Sequence, residues 1–310
     1  MLDLTIAQKT VVTKRISEFL LVSGDGEPLP SYSPGAHIDV MTTAGARSYS
    51  LVDWPQDSGN SYRIAVQQEE NGDGGSRHMH SLDQGAAISA TAPKNDFELI
   101  DGTKPVALVA GGIGITPLIS MATQMTAQGR EFAFHYAGRS ADVMAYLDPL
   151  RTTFGDRFTP HFDDAKTLNL PALMGGLTNH AVYICGPKGM IDAARDAAEN
   201  AGIAAGDIHV ELFSTGKAES GDRGFEIEVA STGQIIPVAA DQTIIEALEA
   251  AGLDPLYDCA RGDCGICQTA VISGTPDHRD VVLSQTERDS GTVMQICVSR
   301  AASDRLVLDL

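Results

Sequence analysis

Short runs of apolar and β-branched residues, bounded by turn residues, fill the first hundred positions of the chain. The runs lie at 4–12, 16–22, 37–42, 47–52, 62–67 and 86–92. The segments between them, such as SGDGEPLPSYSPG, are rich in Gly, Pro, Ser and Asp, which favour turns. Several short strands at this spacing predict an antiparallel sandwich or barrel.

From about residue 104 to 213 the pattern changes to strands that alternate with helices. Apolar strand candidates lie at 105–112, 131–138, 181–187 and 207–213, and helical segments lie at 116–129 and 189–202. Pro117 suits the first helical position, and Gly129 and Gly202 are typical of helix ends. This alternation predicts a doubly wound α/β domain with a parallel sheet.

The segment STGKAESGDRG at 214–224 has the small, polar composition of a linker. It is followed by a hairpin candidate at 225–240 and by a helix with a possible capping box formed by Thr243 and Glu246. Strand candidates at 267–273, 292–298 and 305–310 complete a small α+β module. The predicted divisions are a β domain at 1–101, an α/β domain at 102–214, a linker at 215–224 and the module at 225–310.

The 310 residues carry a net charge of −19, which argues against a nucleic-acid partner because phosphates would repel the chain. From 225 to 310 there are 14 acidic and 5 basic residues, which suits docking on a basic protein partner, although solubility alone is the alternative explanation. The sequence has no run of about 18 apolar residues, the length of a membrane span, and it does not begin like a signal peptide. These features predict a cytoplasmic protein with no membrane partner, in which clustered cysteines bind metal or perform chemistry.

Three of the five cysteines lie in the stretch YDCARGDCGIC. With a fourth they form a C-x4-C-x2-C set plus one distant cysteine, and the members are Cys259, Cys264, Cys267 and Cys297. This spacing is the plant-type [2Fe–2S] ligand pattern. Structural zinc sites more often use two close pairs or add histidines, and His278 stands alone in a polar turn. Gly262 and Gly265 would allow the positive φ angles that such a tight loop needs. The pattern favours an iron–sulfur cluster, with zinc or a redox thiol as the alternatives.

Two further stretches suit a nucleotide and a flavin. Gly111, Gly112 and Gly114 stand between a strand and a helix, where backbone N–H groups can approach a pyrophosphate, although a simple tight turn is the alternative. Cys185 ends another strand of the predicted parallel sheet, at the edge where such sheets bind ligands, and a small buried packing residue is the alternative. In RSYS and GDGGS, Arg47 and the helix start at 74–76 could contact phosphate, and an ordinary surface strand with a capped helix is the alternative.

The chain resembles the phthalate dioxygenase reductase family, which includes vanillate demethylase reductases. The resemblance is carried by five motifs in family order, which are R-x-Y-S, G-G-S, G-G-I-G-I-T-P, C-G-P and the cysteine set. The resemblance covers essentially the whole chain. It implies an antiparallel β-barrel that binds FMN, an α/β domain that binds NADH, and a β-grasp ferredoxin domain with a [2Fe–2S] cluster. It also implies hydride transfer from NADH to FMN, single-electron steps to the cluster, and delivery to a terminal oxygenase as protein partner.

The resemblance assigns the site residues as follows. Those implied near the hydride-transfer point are Ser50, Cys185, Glu211 and Phe213. Those implied to bind FMN or NADH are Arg47, Ser48, Tyr49, Ser50, Ala65, Val66, Gly74, Gly75, Ser76, Gly111, Gly112, Gly114, Thr116, Pro117, Arg139, Cys185, Gly186, Pro187 and Phe213. The implied cluster ligands are the four cysteines at 259, 264, 267 and 297.

This chain departs from the family at two positions. Relatives often have lysine in place of Gln67 and arginine in place of Asp73, so a flavin phosphate would depend mainly on Arg47, Arg77 and helix N–H groups. The departures leave open an FAD-containing reductase that serves a cytochrome P450 or a separate ferredoxin. A zinc-binding interaction module is the non-enzymatic alternative. An electron-transfer subunit like that of dihydroorotate dehydrogenase is disfavoured by the cysteine spacing.

Overall fold

The computed structural model describes residues 1–56, 60–70, 72–165, 167–213 and 221–310. These residues form two compact units, Met1–Glu211 and Leu212–Leu310. The predicted boundary between residues 101 and 102 falls inside the first unit, between two sheets. Residues 215–220 of the predicted linker lie outside the described residues.

The first sheet of unit 1 is antiparallel and nearly closed. Its strands are β1 (Leu2–Val11), β2 (Ile16–Ser23), β3 (His37–Thr42), β4 (Gly45–Ser50), β5 (Tyr62–Gln67) and β6 (Ala87–Ala90). Their order is β4-β3-β6-β1-β2-β5, and a bridge between Leu51 and Ile64 brings the two edge strands together. Alternating residues such as Leu4, Phe19 and Ile38 fill the interior. The predicted barrel is confirmed, and helix α1 (Gly75–Ser81) packs on it through Met79.

The second sheet of unit 1 is parallel and has the order β11-β10-β7-β8-β9. Its elements are β7 (Val106–Gly111), α2 (Ile115–Gln128), β8 (Phe132–Gly138), α3 (Leu147–Phe154), β9 (Phe158–Phe162), α4 (Leu170–Gly175), β10 (Ala181–Cys185), α5 (Lys188–Asn200) and β11 (Ile208–Glu211). The predicted α/β architecture is confirmed. One core cluster contains Ile16, Val52 and Trp54 from the barrel side together with Leu118 and Phe134, so barrel and parallel sheet share packing.

The pattern missed α3, β9 and α4, each of which contains a proline, at positions 149, 160 and 171. Pro149 lies in the first turn of α3, where its missing N–H costs no helical hydrogen bond. Pro160 lies in β9, an edge strand of the sheet, where proline is tolerated. The prediction for Pro117 was also wrong. A 3-10 turn at Gly112–Gly114 leads directly into α2, so Pro117 is the third helical residue rather than the first. The end of α2 is as predicted, with Gly129 at φ 66°.

Unit 2 is the predicted α+β module. Its main sheet has the order β13-β12-β18-β14-β16, with β12 (Phe225–Val229), β13 (Gln234–Val238), α6 (Ile244–Ala250), β14 (Gln268–Ser273), α7 (Gln285–Ser290), β16 (Val293–Gln295) and β18 (Arg305–Leu308). Two short strands, β15 (Pro276–Asp277) and β17 (Arg300–Ala301), pair with each other. The hairpin β12–β13 and the Thr243–Glu246 capping box are confirmed. The strand predicted at 292–298 ends early, at Gln295.

No helix in the described part of the chain is both long and apolar enough to cross a membrane.

Candidate functional site

Strand β4 presents its predicted site residues on two faces. Arg47 and Tyr49 alternate with Ser48 and Ser50, so the two pairs point to opposite sides of the sheet. Ser48 is engaged by β3, because its hydroxyl donates to Asp39 Oδ1 over 2.6 Å. Burial raises the pKa of the Tyr49 hydroxyl to about 12, against the opposing effect of the Arg47 charge. Tyr49 is therefore a neutral, half-buried ring beside a cation.

Ser50 ends the strand with a buried hydroxyl. The residue is 5% exposed, and among the described residues its Oγ has no hydrogen-bond partner. A buried hydroxyl without a partner costs free energy on the order of 1–3 kcal/mol, so its place in the fold suits a bound molecule that supplies the missing partner. This hydroxyl is the first feature of the barrel that fits a flavin.

The side chain of Arg47 crosses the start of α1. A Cβ on Gly75 would lie 2.6 Å from Arg47 Cγ, so only glycine leaves room for the arginine there. Arg77 lies on the same side, with its Nη2 3.6 Å from the position of a Cβ on Gly74. Two guanidinium groups and a helix start therefore meet where a phosphate was predicted.

Two polar residues limit this phosphate position. Asp73 Oδ2 lies 3.3 Å from Arg47 Nη2, so the arginine is paired with a carboxylate that the sequence pattern did not connect to it. The hydroxyl of Ser76 accepts a hydrogen bond from the backbone N–H of Glu69 over 3.0 Å. The Ser76 hydroxyl thus supports the turn before α1, and the backbone N–H of Ser76 is the group that could meet a phosphate.

Ala65 and Val66 are buried in β5, which the Leu51–Ile64 bridge brings to the end of β4. The carbonyl of Val66 lies 2.8 Å from a ring nitrogen of His80 in α1. These two residues therefore connect the strand edge with the helix at the predicted phosphate position.

The predicted nucleotide turn packs against the end of β10. A Cβ on Gly114 would lie 2.3 Å from the carbonyl oxygen of Cys185, and a Cβ on Gly186 would lie 3.0 Å from Gly111 Cα. A Cβ on Gly111 would also lie 2.9 Å from Pro187 Cδ. These glycines are therefore required because the two loops are in contact. The sequence analysis assigned them only to the approach of a ligand and did not include this packing role.

Gly112 differs from its neighbours in this turn. It has φ 54°, and a Cβ added to it would meet no atom within 4 Å. The backbone here is therefore left-handed and open, as a turn that receives a ligand requires. Thr116 and Pro117 follow inside α2, where both are buried and the Thr116 hydroxyl donates to the carbonyl of Ile113 over 3.1 Å.

Cys185 and Glu211 are register partners on the parallel strands β10 and β11. Cys185 Sγ lies 3.9 Å from Glu211 Oε2, and both residues are almost fully buried. The structure thus brings together two residues predicted for the hydride-transfer point. Phe213 belongs to the second compact unit, and its side chain is 39% exposed.

Arg139 follows β8 and is exposed. Next to it, the hydroxyl of Ser140 donates to Asp142 Oδ1. A carboxylate is thereby placed two residues beyond Ser140, in the segment that follows β8.

The four cysteines of unit 2 converge. Cys267 Sγ lies 3.1 Å from Cys297 Sγ, and Cys259 interacts with both Cys264 and Cys297. Hydrogen bonding with Cys297 lowers the pKa of Cys259 to about 3 and raises the pKa of Cys297. Each of the four thiols therefore lies close to at least one other thiol of the set, as the ligands of one cluster must. Within the described residues, no group of three or more Cys, His, Asp or Glu side chains is placed so that it could hold a single metal ion.

The loop that carries three of these cysteines has the predicted glycine conformations, with φ 82° at Gly262 and 79° at Gly265. Ala260 also has a positive φ, 50°, which is unusual for a residue with a Cβ. The backbone N–H of Arg261 donates to Cys259 Sγ over 3.4 Å. An N–H turned toward sulfur fits a cluster whose sulfur atoms carry negative charge. Four converging thiols and this loop fit a [2Fe–2S] group, in which four thiolates hold two irons.

The sequence analysis also missed a buried acid, Asp280, which supports the segment that contacts the cysteine loop. Asp280 is fully buried, and its Oδ2 accepts hydrogen bonds from the N–H groups of Val282 and Leu283, over 3.0 and 2.8 Å. Val281 N in turn donates to the carbonyl of Gly262 over 2.9 Å. His278 is not the isolated turn residue that was predicted, because it is mostly buried, 4.0 Å from Asp280. The S-x-x-E pattern at Ser284–Glu287, which caps α7, was the readable signal for this segment.

A second acid within the cysteine loop was also missed. The side chain of Asp263 is buried, lies 3.4 Å from Arg261 Nε, and accepts a hydrogen bond from Leu212 N over 3.0 Å. Burial raises the pKa of Asp263 to about 7. Its position shows that the loop is held by charged and backbone contacts as well as by its cysteines.

Comparisons with known proteins agree with this arrangement. The 2Fe-2S iron-sulfur cluster binding domain family matches residues 227–302. The vanillate O-demethylase oxidoreductase of Pseudomonas sp. (strain HR199 / DSM 7063) is 38% identical over 319 residues, covering 100% of both chains.

Two solved structures are similar over the full chain. Phthalate dioxygenase reductase, a modular structure for electron transfer from pyridine nucleotides to [2Fe–2S], is 35% identical with a TM-score of 0.71, covering 100% of this chain and 98% of that one. An intact type IV self-sufficient cytochrome P450 monooxygenase is 38% identical with a TM-score of 0.73. The match covers 100% of this chain but only 41% of the monooxygenase.

Proposed function

The chain belongs to the phthalate dioxygenase reductase family, and on that premise we propose that it is an NADH-dependent reductase that delivers electrons through FMN and a [2Fe–2S] cluster to a terminal oxygenase or demethylase. The observation that carries the proposal is the convergence of Cys259, Cys264, Cys267 and Cys297 in unit 2 of a chain similar over its full length to a pyridine-nucleotide reductase. When bound, FMN accepts a hydride's two electrons and releases them singly, as the cluster requires.

The barrel residues hold the flavin. The Arg47 and Arg77 guanidinium groups and the N–H groups at Gly75 and Ser76 face the phosphate, and Tyr49 supplies an aromatic face. The buried Ser50 hydroxyl would hydrogen-bond to the polar edge of the flavin ring system when the flavin is bound. We assign FMN rather than FAD, because FMN is the flavin implied by the full-length similarity to phthalate dioxygenase reductase.

The parallel sheet holds NADH at its carboxyl edge. The open turn at Gly112 receives the pyrophosphate, with Gly111, Gly114, Thr116 and Pro117 shaping the turn. Cys185, Gly186 and Pro187 form the opposite wall, with Glu211 behind Cys185. Arg139 contacts the adenosine end, and the nearby Asp142 carboxylate would repel a 2′-phosphate, which favours NADH over NADPH.

Unit 2 presents the cluster to the partner. Its 14 acidic and 5 basic residues between 225 and 310 favour a basic docking face on the oxygenase, and such docking weakens as salt rises. Reduced thiols suit the cytoplasm, where we place the protein.

The test is spectroscopic and quantitative. The protein purified without oxygen should be coloured between about 400 and 550 nm, the range of flavin and iron–sulfur chromophores. Heat-released flavin should have the mass of FMN, and iron and sulfide should each approach two per chain, as a [2Fe–2S] cluster requires. Steady-state kcat/KM should favour NADH. A colourless protein that contains zinc would overturn the proposal in favour of an interaction module.

A cytochrome P450 is the second candidate acceptor. The observation in its favour is the 38% identity to part of a self-sufficient P450 monooxygenase. Mixing the NADH-reduced protein with a Rieske-type oxygenase and with a bacterial P450 would separate the two. The true class of acceptor should be reduced much faster than the other at low salt, and its rate should fall as salt rises.

A further inference from the structure

Helix α2 carries a row of hydroxyl groups on one face. Thr116, Ser120 and Thr123 are spaced i, i+4 and i+7, so they lie one above the other along the helix. All three are buried, at 2%, 1% and 8% exposure, in a helix whose other buried residues are mostly apolar. A buried hydroxyl costs free energy unless it forms hydrogen bonds, so the partners of these groups indicate what the row does.

Two members of the row bind the barrel rather than their own helix. Ser120 Oγ donates to the carbonyl of Leu51 over 2.7 Å and accepts from the N–H of Asp53 over 2.8 Å. Thr123 Oγ1 donates to the carbonyl of Asp53 over 2.8 Å. Two side chains thus satisfy three backbone groups of the segment 51–53, which is about 70 residues away in sequence.

The segment that they hold follows Ser50 directly. Ser50 ends β4 with the hydroxyl assigned to the flavin, which has no partner among the residues that the structure describes, and Thr116, one turn before Ser120, belongs to the nucleotide turn. One pair of hydroxyl groups therefore joins the two backbone segments that the proposed function places at the flavin and at the nicotinamide nucleotide.

We infer that Ser120 and Thr123 are positioning residues that fix the distance between nicotinamide and flavin by binding the backbone of residues 51–53 to helix α2. The inference rests on the proposed function. Hydride transfer depends steeply on the separation and alignment of the reacting atoms, so a small shift of the segment slows the reaction even when both cofactors remain bound. Ser120 and Thr123 act through the backbone of residues 51–53 and not by contact with the reacting atoms.

Thr123→Val is the main variant, because valine keeps the shape of threonine and removes only the hydroxyl. Thr123→Ser keeps the hydroxyl and is the conservative rescue. Thr126→Val is the matched control, because it makes the same change on the same helix. The Thr126 hydroxyl donates to the carbonyl of Ala122 over 2.8 Å and accepts from Arg157 Nη1 over 3.3 Å, and neither partner lies in residues 51–53. Ser120→Ala is a second variant that removes the other two hydrogen bonds.

The first measurement uses the protein without NADH. Hydrogen–deuterium exchange in the peptide that contains residues 51–54 should be faster in Thr123→Val and Ser120→Ala than in the wild type, and unchanged in Thr126→Val. The second measurement is stopped-flow reduction of the flavin by NADH. In Thr123→Val the limiting rate constant should fall on the order of 10-fold, while the dissociation constant of NADH changes less than about 2-fold. Thr123→Ser should retain the wild-type rate.

A purely structural role gives a different result. If Thr123→Val lowers the melting temperature but leaves the limiting rate constant unchanged, or if Thr126→Val slows the reaction equally, the inference is wrong. Failure of the proposed function is separate, because then the wild-type protein itself would show no flavin reduction by NADH.

Discussion

Asp73 places a carboxylate at the position where the flavin phosphate is expected, and its removal is predicted to tighten FMN binding. The carboxylate pairs with Arg47 over 3.3 Å, and the two side chains are 50% and 35% exposed. A bound phosphate must share Arg47 with this carboxylate and carry its own negative charge close to it. Asp73→Asn keeps the size of the side chain and removes its charge.

The magnitude follows from Coulomb's law with surface screening. Two unit charges roughly 5 Å apart interact by about 0.8 kcal/mol in water and about 3 kcal/mol at an effective dielectric constant of 20. Because Asp73 is half-exposed, a value near the lower limit applies, and a phosphate of nearly two charges brings the effect to about 1–2 kcal/mol. The dissociation constant of FMN should therefore fall roughly 5- to 30-fold.

The assay is titration of the flavin-free protein with FMN and with riboflavin, followed by flavin fluorescence at low ionic strength. Riboflavin lacks the phosphate, so its affinity should not change in Asp73→Asn. Asp148→Asn is the control, since Asp148 also pairs with an arginine, Arg151, over 3.4 Å on an exposed helix. The gain should shrink in 0.5 M salt, as expected where the screening length is only about 3–10 Å. Unchanged or weaker FMN binding, or an equal gain for riboflavin, would refute this reasoning.

Three further predictions concern the cysteine loop and the parallel sheet. Gly262→Ala should lose its iron–sulfur absorbance and lower the melting temperature, because a Cβ there would lie 2.6 Å from Val298 Cγ2 at φ 82°; retention of full cluster content would contradict this. Ala260→Gly should instead keep the cluster and raise stability by up to about 1 kcal/mol in urea unfolding, since glycine relieves the φ of 50°, and a loss of stability would count against that strain. Burial and the neighbouring His161 lower the pKa of His135 to about 4 from its usual 6.5. The unfolded chain therefore binds this proton first, and the stability present above pH 6.5 should decline as the pH falls toward 4. His135→Gln should show a smaller decline between pH 7.5 and 5 in urea unfolding, and an equal decline would exclude His135 as its source.

Local sequence signals predicted much of the fold because their causes are local. The capping box at Thr243 and Glu246, the left-handed Gly129 and the positive φ of Gly262 and Gly265 each depend on neighbouring residues, and each is found in the structure. Cysteine spacing likewise indicated which thiols converge.

Contacts between distant segments were not predictable in this way. The pairing of Arg47 with Asp73, the binding of residues 51–53 by Ser120, and the burial of Asp263 all depend on how the elements pack. Gly114 is a further example. Its turn suggested a ligand, but a side chain is excluded there because a Cβ would collide with the carbonyl oxygen of Cys185. A single sequence shows which residue types are present but not which backbone they will meet.

In the proposed order of electron transfer, electrons pass from NADH to the flavin, from the flavin to the cluster, and from the cluster to the oxygenase. Cys264→Ser tests it most directly, because Cys264 belongs to the thiol set in unit 2 and not to the residues assigned to flavin or NADH. The measurement compares NADH oxidation by a dye that accepts electrons from the flavin with reduction of the terminal oxygenase, in the wild type and in the variant. We predict that the variant keeps the dye activity and loses oxygenase reduction together with the electron paramagnetic resonance signal of the reduced cluster. Loss of both activities, or oxygenase reduction at the wild-type rate without the cluster signal, would contradict this order of electron transfer.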